Sequence, residues 1–233
     1  MRIAGTAVLL GLMTACGGAG PVPLDEQIPE HGSGGFAAAP GSETVTGAGQ
    51  TLITYQIEVE TGVEFGALDP VTPDVFAAAV EHVLADPRGW AAHPVTEVQA
   101  EMVNASWRFR RVEGPDAQVR LRLATPQTVD AQCARIGLDT EGKFSCRFDN
   151  TIMVNLKRWL QGSPISPSVD EYHAGVVNHE VGHFLGFDHA GCPGPGQPAP
   201  VMMQQSIDLG GCEPNAWPFT GGGAFITGPW QPS

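Results

Sequence analysis

The run His179-Glu180-Val181-Gly182-His183-Phe184-Leu185-Gly186-Phe187-Asp188-His189 constrains this chain more than any other stretch. Residues four apart on a helix stack one turn above the other, so His179 and His183 can aim their imidazoles at one point. Glu180 is offset by about 100° around the helix, close to that point without having to be a ligand. A start signal lies upstream: Ser168 follows Pro167 and stands three residues before Glu171, a capping-box arrangement. Tyr172, Val176, His179 and His183 then share one helical face. Gly186 can adopt the left-handed conformation that ends a helix, so the chain turns and brings back His189 as a third ligand. Asp188 is the rival for that place. The spacing from the glycine favours His189, which also keeps the ligand set all imidazole. Three histidines leave the fourth tetrahedral position to water, the pattern of a catalytic zinc and not of a closed structural one, with Glu180 placed as general base.

The rest of the chain supplies enough material for one medium domain: 233 residues, 42% hydrophobic and only 16% charged. A formal net charge of −13 repels phosphate backbones, so nucleic acid is excluded as a partner. Ile53, Tyr55, Ile57 and Val59 alternate with polar residues and predict a half-buried strand starting near Thr51. Thr72-Pro73 opens a helix carrying Phe76, Val80, Val83 and Leu84 at helical spacing, and Asp86-Pro87 stops it. Two alternating runs follow, Ala105-Trp107-Phe109 and Val119-Leu121-Leu123. The turn signal Glu113-Gly114-Pro115-Asp116 between them predicts a hairpin. Ile152, Val154 and Leu156 form a further strand before the motif helix. From His189 to Ser233 the chain is rich in Gly and Pro with little regular pattern, and no internal repeat is visible.

At the N-terminus, Met1-Arg2 and the apolar run from Ile3 to Met13 read as an export signal too short to span a bilayer. Leu12-Met13-Thr14-Ala15-Cys16 resembles the lipobox of bacterial lipoproteins, which implies cleavage after residue 15 and a lipid on Cys16. An ordinary secretory signal is the alternative. Residues 17–50 are dominated by Gly, Pro, Ala and Ser, and are expected to form a flexible tether, with a short inhibitory pro-segment as the alternative. Setting Cys16 aside leaves an even number of cysteines: Cys133, Cys146, Cys192 and Cys212. Four cysteines allow three pairings, and proximity favours Cys133–Cys146 and Cys192–Cys212.

The histidine run resembles the signature of the metzincin clan of zinc-dependent metallopeptidases. The resemblance implies a zincin-like α+β domain over residues 51–233: a twisted β-sheet with two main helices, one of them zinc-binding, above a small irregular C-terminal subdomain. It also implies one catalytic Zn2+ on His179, His183 and His189, and a Met-turn beneath them, for which Pro200-Val201-Met202-Met203 is the candidate. Met202 is the favoured methionine, with Met203 the alternative. The wider chain is similar to an uncharacterised family of secreted actinobacterial metzincin-like proteins, through Asn178-His179-Glu180, Cys192-Pro193-Gly194-Pro195-Gly196, Pro200-Val201-Met202-Met203-Gln204-Gln205, Gly211-Cys212 and Trp217-Pro218.

The expected protein is a cell-envelope metalloendopeptidase: a monomer, lipid-anchored outside the cytoplasm or released from there, acting on an extended peptide or protein. Strand 151–156 is the candidate edge for pairing with substrate, an ordinary core strand being the alternative. The tyrosine that astacin-like and serralysin-like enzymes carry two residues after the Met-turn methionine is replaced by Gln204, which leaves oxyanion stabilisation to zinc, Gln204 or backbone N–H groups. Two alternatives stand beside the peptidase: a catalytically silent zinc-containing binding lipoprotein, against which the intact Glu180 argues, and a zinc hydrolase of a non-protein envelope amide. His31, His82, His93 and His173 are expected to serve the surface or the packing.

Overall fold

A computed structural model describes residues 22–95 and 105–231. The predicted export signal and Cys16 lie outside the described residues.

The longest apolar alternation becomes the centre of the sheet. Strand β3 (Thr51–Glu60) buries Ile53, Tyr55, Ile57 and Val59 and has neighbours on both sides. Upstream come a short helix α1 (Leu24–Gln27) and two short strands, β1 (Phe36–Ala38) and β2 (Val45–Thr46). Helix α2 (Pro73–Ala85) starts on Thr72, whose side chain accepts from the Val75 amide, and ends at Asp86, as the sequence predicts. Then follow β4 (Trp107–Arg111), β5 (Val119–Ala124), helix α3 (Pro126–Cys133) with a 3-10 turn (Ala134–Ile136), β6 (Cys146–Phe148), β7 (Thr151–Asn155), helix α4 (Leu156–Gln161), the motif helix α5 (Val169–Phe184), and the two-residue strands β8 (His189–Ala190) and β9 (Trp230–Gln231). The main sheet runs β2-β4-β3-β5-β7-β6, with β1 also paired to β3. Its four inner strands are parallel, and β1, β2 and β6 are antiparallel to their neighbours. The chain is therefore a mixed α/β fold. Among the described residues no helix is long and apolar enough to cross a membrane.

The hairpin expected between β4 and β5 does not form. Both strands run parallel to β3 on opposite sides of it, with Tyr55 opposite Arg111 on one side and Val119 on the other. The connection crosses β3 at that level: the Val112 amide donates to the Tyr55 carbonyl, Gln118 to that of Thr54, and the Thr54 hydroxyl to that of Asp116. Glu113-Gly114-Pro115-Asp116 remains a turn, but pairing both runs with the more apolar β3 leaves that strand no open edge.

A flexible tether through residue 50 is also overturned for its described part. Ile28 and Ala39 are buried, β1 pairs with Phe36 opposite Glu60, and β2 pairs with β4. Composition misled because the glycines have a packing role. A Cβ on Gly49 would lie 2.2 Å from the Trp107 amide nitrogen, so only glycine allows the chain to pass this close to β4. The folded unit therefore begins before residue 51.

Helices α2 and α5 pack together, with α2 against β3, and enclose the main core with Phe76, Val80, Val177 and Val181. On a smaller scale α3 covers the β7–β6 end, where Val129, Ala124 and Met153 surround the Cys133–Cys146 disulfide. The expectation of two main helices omitted α3 and α4. Leu156 does not continue β7. Asn155 caps α4 through its side chain, which accepts from the Lys157 amide at 2.9 Å, and this local bond ends the strand. Nor is β7 the sheet edge: it lies between β5 and β6, and β6 takes the edge. After α5 the chain has little regular structure and is closed by Cys192–Cys212, so both expected disulfides are present.

Candidate metal centre

Helix α5 is built as its sequence dictates. The Ser168 hydroxyl accepts from the Glu171 amide at 3.1 Å, and Asp170 and Glu171 place negative charge in the first turn, where the helix dipole favours it. At the other end Gly186 has φ +99° and the Phe187 amide bonds back to the Gly182 carbonyl. The chain reverses there. Phe187 drives into the core and stacks on Trp90 with ring centroids 4.7 Å apart, which anchors the returning segment. His189 then starts β8, held by pairing with β9 and by the Ala190 amide donating to the Met202 carbonyl at 3.1 Å.

The result is a cluster of His179, His183 and His189 whose ligand atoms lie within 4.8 Å of one another. His183 Nε2 is 3.1 Å from Nε2 of His179 and 3.1 Å from Nε2 of His189. His179 Nδ1 donates to the Val201 carbonyl (2.8 Å) and His183 Nδ1 to that of Phe187 (2.9 Å). A carbonyl only accepts, so in both neutral rings the proton sits on Nδ1 and the Nε2 lone pair faces the centre. Lone pairs converging at this spacing repel one another unless a cation lies among them. The donor set therefore fits a metal ion, and His189, the favoured candidate over Asp188, is its third member.

Electrostatics points the same way. Burial, then the neighbouring His183, pushes the His179 imidazole down to about 3, against the pull of the Val201 carbonyl. Burial pushes His183 down to about 4 and lowers His189 as well. All three imidazoles are neutral at neutral pH. Glu180 is buried, and loss of solvation pushes its carboxyl up to about 8, opposed by the positive charge of Arg147.

Trp90, which sequence reading did not single out, and Asn178, quoted there only within a longer segment, hold the helix in place, while Gln205 fastens the segment after it. Trp90, fully buried after α2, donates from Nε1 to the Asn178 carbonyl at 2.8 Å, and the Asn178 amide group donates to the Ala216 carbonyl at 3.0 Å. Gln205 grips Asn215 twice, donating to its carbonyl (2.6 Å) and accepting from its amide (3.0 Å). Only the position of Asn178 beside His179 hinted at any of this. The turn at 200–203, closed by the Met203 amide donating to the Pro200 carbonyl, supplies the Val201 carbonyl to His179. Its Met202 is 1% exposed and packs against α5 at Gly182, whereas Met203 is partly buried and lines a cavity. Met202 is therefore the methionine beneath the helix. Exposed Gln204 lines the same cavity.

That cavity, about 330 Å³, opens beside His179 and Glu180 between α5, the start of β6 and the segment after Met202. Tyr172 forms part of its wall, its phenol bonded to Ser145 and its pKa raised by burial. The other tyrosine, Tyr55, sits in the core beside Glu81. Of the remaining histidines, His173 stacks on Trp159 and donates to its carbonyl at 2.7 Å, and His93 packs edge-on against Phe219, both packing roles as expected. His31 bonds to Gln127.

A family model matches residues 22–220. The chain belongs to the DUF3152 family of proteins of unknown function. No curated protein matches it, and no solved structure does. The DUF3152 match begins at residue 22 and so takes in β1 and β2, the strands that composition assigned to a tether.

Proposed function

We propose that this chain is a zinc-dependent endopeptidase of metzincin type, acting outside the cytoplasm on extended peptide segments. The observation that carries the reading is the convergence of three neutral Nε2 lone pairs beside a buried carboxylate at the mouth of a cavity. His179, His183 and His189 would hold the ion. Zinc bound there supplies Lewis acidity, making water acidic near neutrality and polarising a carbonyl. Glu180 accepts the proton that water loses as it attacks the peptide carbon, then delivers it to the departing amine. Burial alone holds its carboxyl up near 8, and a cation beside it would favour the ionised form that accepts the proton. The β6 edge, whose preceding residues line the cavity, offers free main-chain groups to an extended substrate strand. The turn at Met202 beneath the histidines matches what the metzincin resemblance implies. Two disulfides favour an oxidising compartment and support export, with Cys16 as the proposed lipid anchor and a monomer as the working unit.

The test is metal analysis plus cleavage of a diverse peptide library by the whole chain and by Glu180→Ala. The expected result is one zinc per chain in both, with the variant slower by about 10²–10⁴-fold. A folded, zinc-loaded parent that cuts nothing overturns the reading.

A further inference from the structure

Arg147 is the middle residue of β6, the strand at the sheet edge. Its neighbours Cys146 and Phe148 pack with Met153 beneath α3, so alternation sends its own side chain to the opposite face. The register agrees: Arg147 stands opposite Ile152, which is fully buried in the main core with Val177 and Val181 of α5. Helix α5 contacts β6 directly, so the guanidinium lies on the α5 side of the edge. Burial is the larger influence on Glu180 and on His183, but the positive charge of Arg147 reaches both.

This arginine has donors to spare. One N–H donates to the Asp149 carbonyl two residues on. Among the described residues no carboxylate lies within ion-pair distance of it. None of its nitrogens is buried without a partner, so the rest of the fork is open to solvent. By contrast Lys143, in the preceding loop, pairs with Glu141 at 2.7 Å, and Arg158, on the cavity wall, donates to the Gly162 carbonyl at 3.3 Å. The chain has 25 acidic residues to 12 basic ones, yet it places none of its own against Arg147.

Loop 134–145, closed by Cys133–Cys146, lends Leu138 and Phe144 to the cavity wall, and loop 193–211, closed by Cys192–Cys212, lends Met203 and Ile207. Arg147 is not part of that wall and stands on β6 past Cys146. The disulfide at Cys146 fixes the start of the strand, so the guanidinium is carried on a rigid base.

We propose that Arg147 is a specificity residue whose planar fork binds a carboxylate of the substrate, from an aspartate or glutamate side chain close to the scissile bond and outside the cavity. The inference rests on the peptidase reading for the position of the bond. It does not rest on it for the binding of a carboxylate.

The experiment has two arms on the whole chain. The first takes one extended peptide and places Glu, Gln or Lys in turn at each position near the cut made by the zinc-loaded parent. At one of these positions the parent is expected to favour Glu over Gln by about tenfold in kcat/KM, mainly through KM, and the preference should shrink as salt rises from about 0.05 to 0.5 M. Arg147→Ala is expected to erase that ratio, Arg147→Lys to keep part of it, and Arg147→Glu to favour Lys over Gln at the same position. Each ratio is taken within one variant, so partial misfolding cancels, and a gained preference for lysine cannot come from lost folding. In the second arm, calorimetry on Glu180→Ala measures binding of the same uncut Glu and Gln peptides, with and without Arg147→Ala. Cleavage without a Glu preference, or with one that Arg147→Ala leaves intact, overturns this inference and leaves the peptidase reading standing. A fall in kcat by one common factor for every peptide overturns it too, since it gives Arg147 a role that all substrates share. Absent cleavage, with Glu-selective binding that Arg147→Ala abolishes, sinks the peptidase reading and upholds the carboxylate site. Absent selectivity in both arms overturns the inference.

Discussion

The sulfur of Met202 occupies the space that any side chain at position 182 would need: a Cβ on Gly182 would lie 2.2 Å from Met202 Sδ and 3.0 Å from Trp90 Cζ2. Gly182 sits inside α5 between His179 and His183, where alanine would ordinarily stabilise a helix by about 1 kcal/mol. Here the sign reverses. Gly182→Ala is expected to cost about 1–3 kcal/mol through overpacking and to weaken metal retention. Denaturant titration and zinc content measure both effects. Adding Met202→Ala should recover part of the loss, and a double variant no better than the single one would show that the contact is not the cause.

Trp90 joins the loop after α2 to the metal helix through its bond to the Asn178 carbonyl and its stacking on Phe187. Trp90→Phe keeps most of the ring and loses the bond, an expected cost of about 1 kcal/mol with zinc content unchanged. Trp90→Ala empties a buried site and should cost about 3–5 kcal/mol. Equal losses for the two variants would argue against separate contributions.

The buried groups at the centre predict an unusual pH profile for the metal-free chain. His179 and His183 have folded-state pKa values of about 3 and 4 against 6.5 unfolded, so their contribution is intact above pH 6.5 and is lost as pH falls toward 4. Glu180 acts in the opposite direction. Its folded pKa of about 8 lies above its ordinary value of 4.5, so its contribution is intact below pH 4.5 and is lost as pH rises through 8. The chelated chain is therefore expected to be most stable near pH 6.5. Glu180→Gln should flatten the decline above that pH and steepen the rise between pH 4.5 and 6.5, where the carboxyl otherwise opposes the histidines. Melting temperatures in EDTA from pH 4.5 to 8.5 test this, and a parent profile that keeps rising to pH 8.5 would contradict it.

Glu60, buried at the end of β3, is the clip that holds the N-terminal segment. Its carboxylate accepts from the Gly34 amide, the Thr128 hydroxyl, and the amide and hydroxyl of Thr125. Glu60→Ala leaves those donors without their partner and should cost about 3 kcal/mol. Limited proteolysis should then cut near residues 32–38 in the variant while sparing the parent. Equal cutting of both would mean that the segment is not fastened at Glu60.

The histidine cluster was legible because its geometry is local. The spacing of His179 and His183 sets their common face, Gly186 permits the reversal, and Ser168 starts the helix through its own next turn. The Thr72 cap, the β3 alternation and the pairing of nearby cysteines were readable for the same reason. What failed depended on partners distant in the chain. The β4–β5 hairpin was a sound local reading, displaced because β3, some 50 residues earlier, offered both runs a more apolar neighbour. Gly49 looked like linker until Trp107 lay against it.

By itself, then, the sequence determined the three converging histidines, the general-base candidate, the helix that carries them and the two disulfides, since each follows from spacing along the backbone. Only the tertiary structure decided that Met202 and not Met203 lies beneath the helix, that Trp90 braces Asn178 from 88 positions away, that β6 and not β7 is the sheet edge, and that two disulfide-closed loops enclose one cavity. Those outcomes depend on which surfaces meet when the chain closes on itself, and burial is a property of the whole packed arrangement that no local window of residues contains.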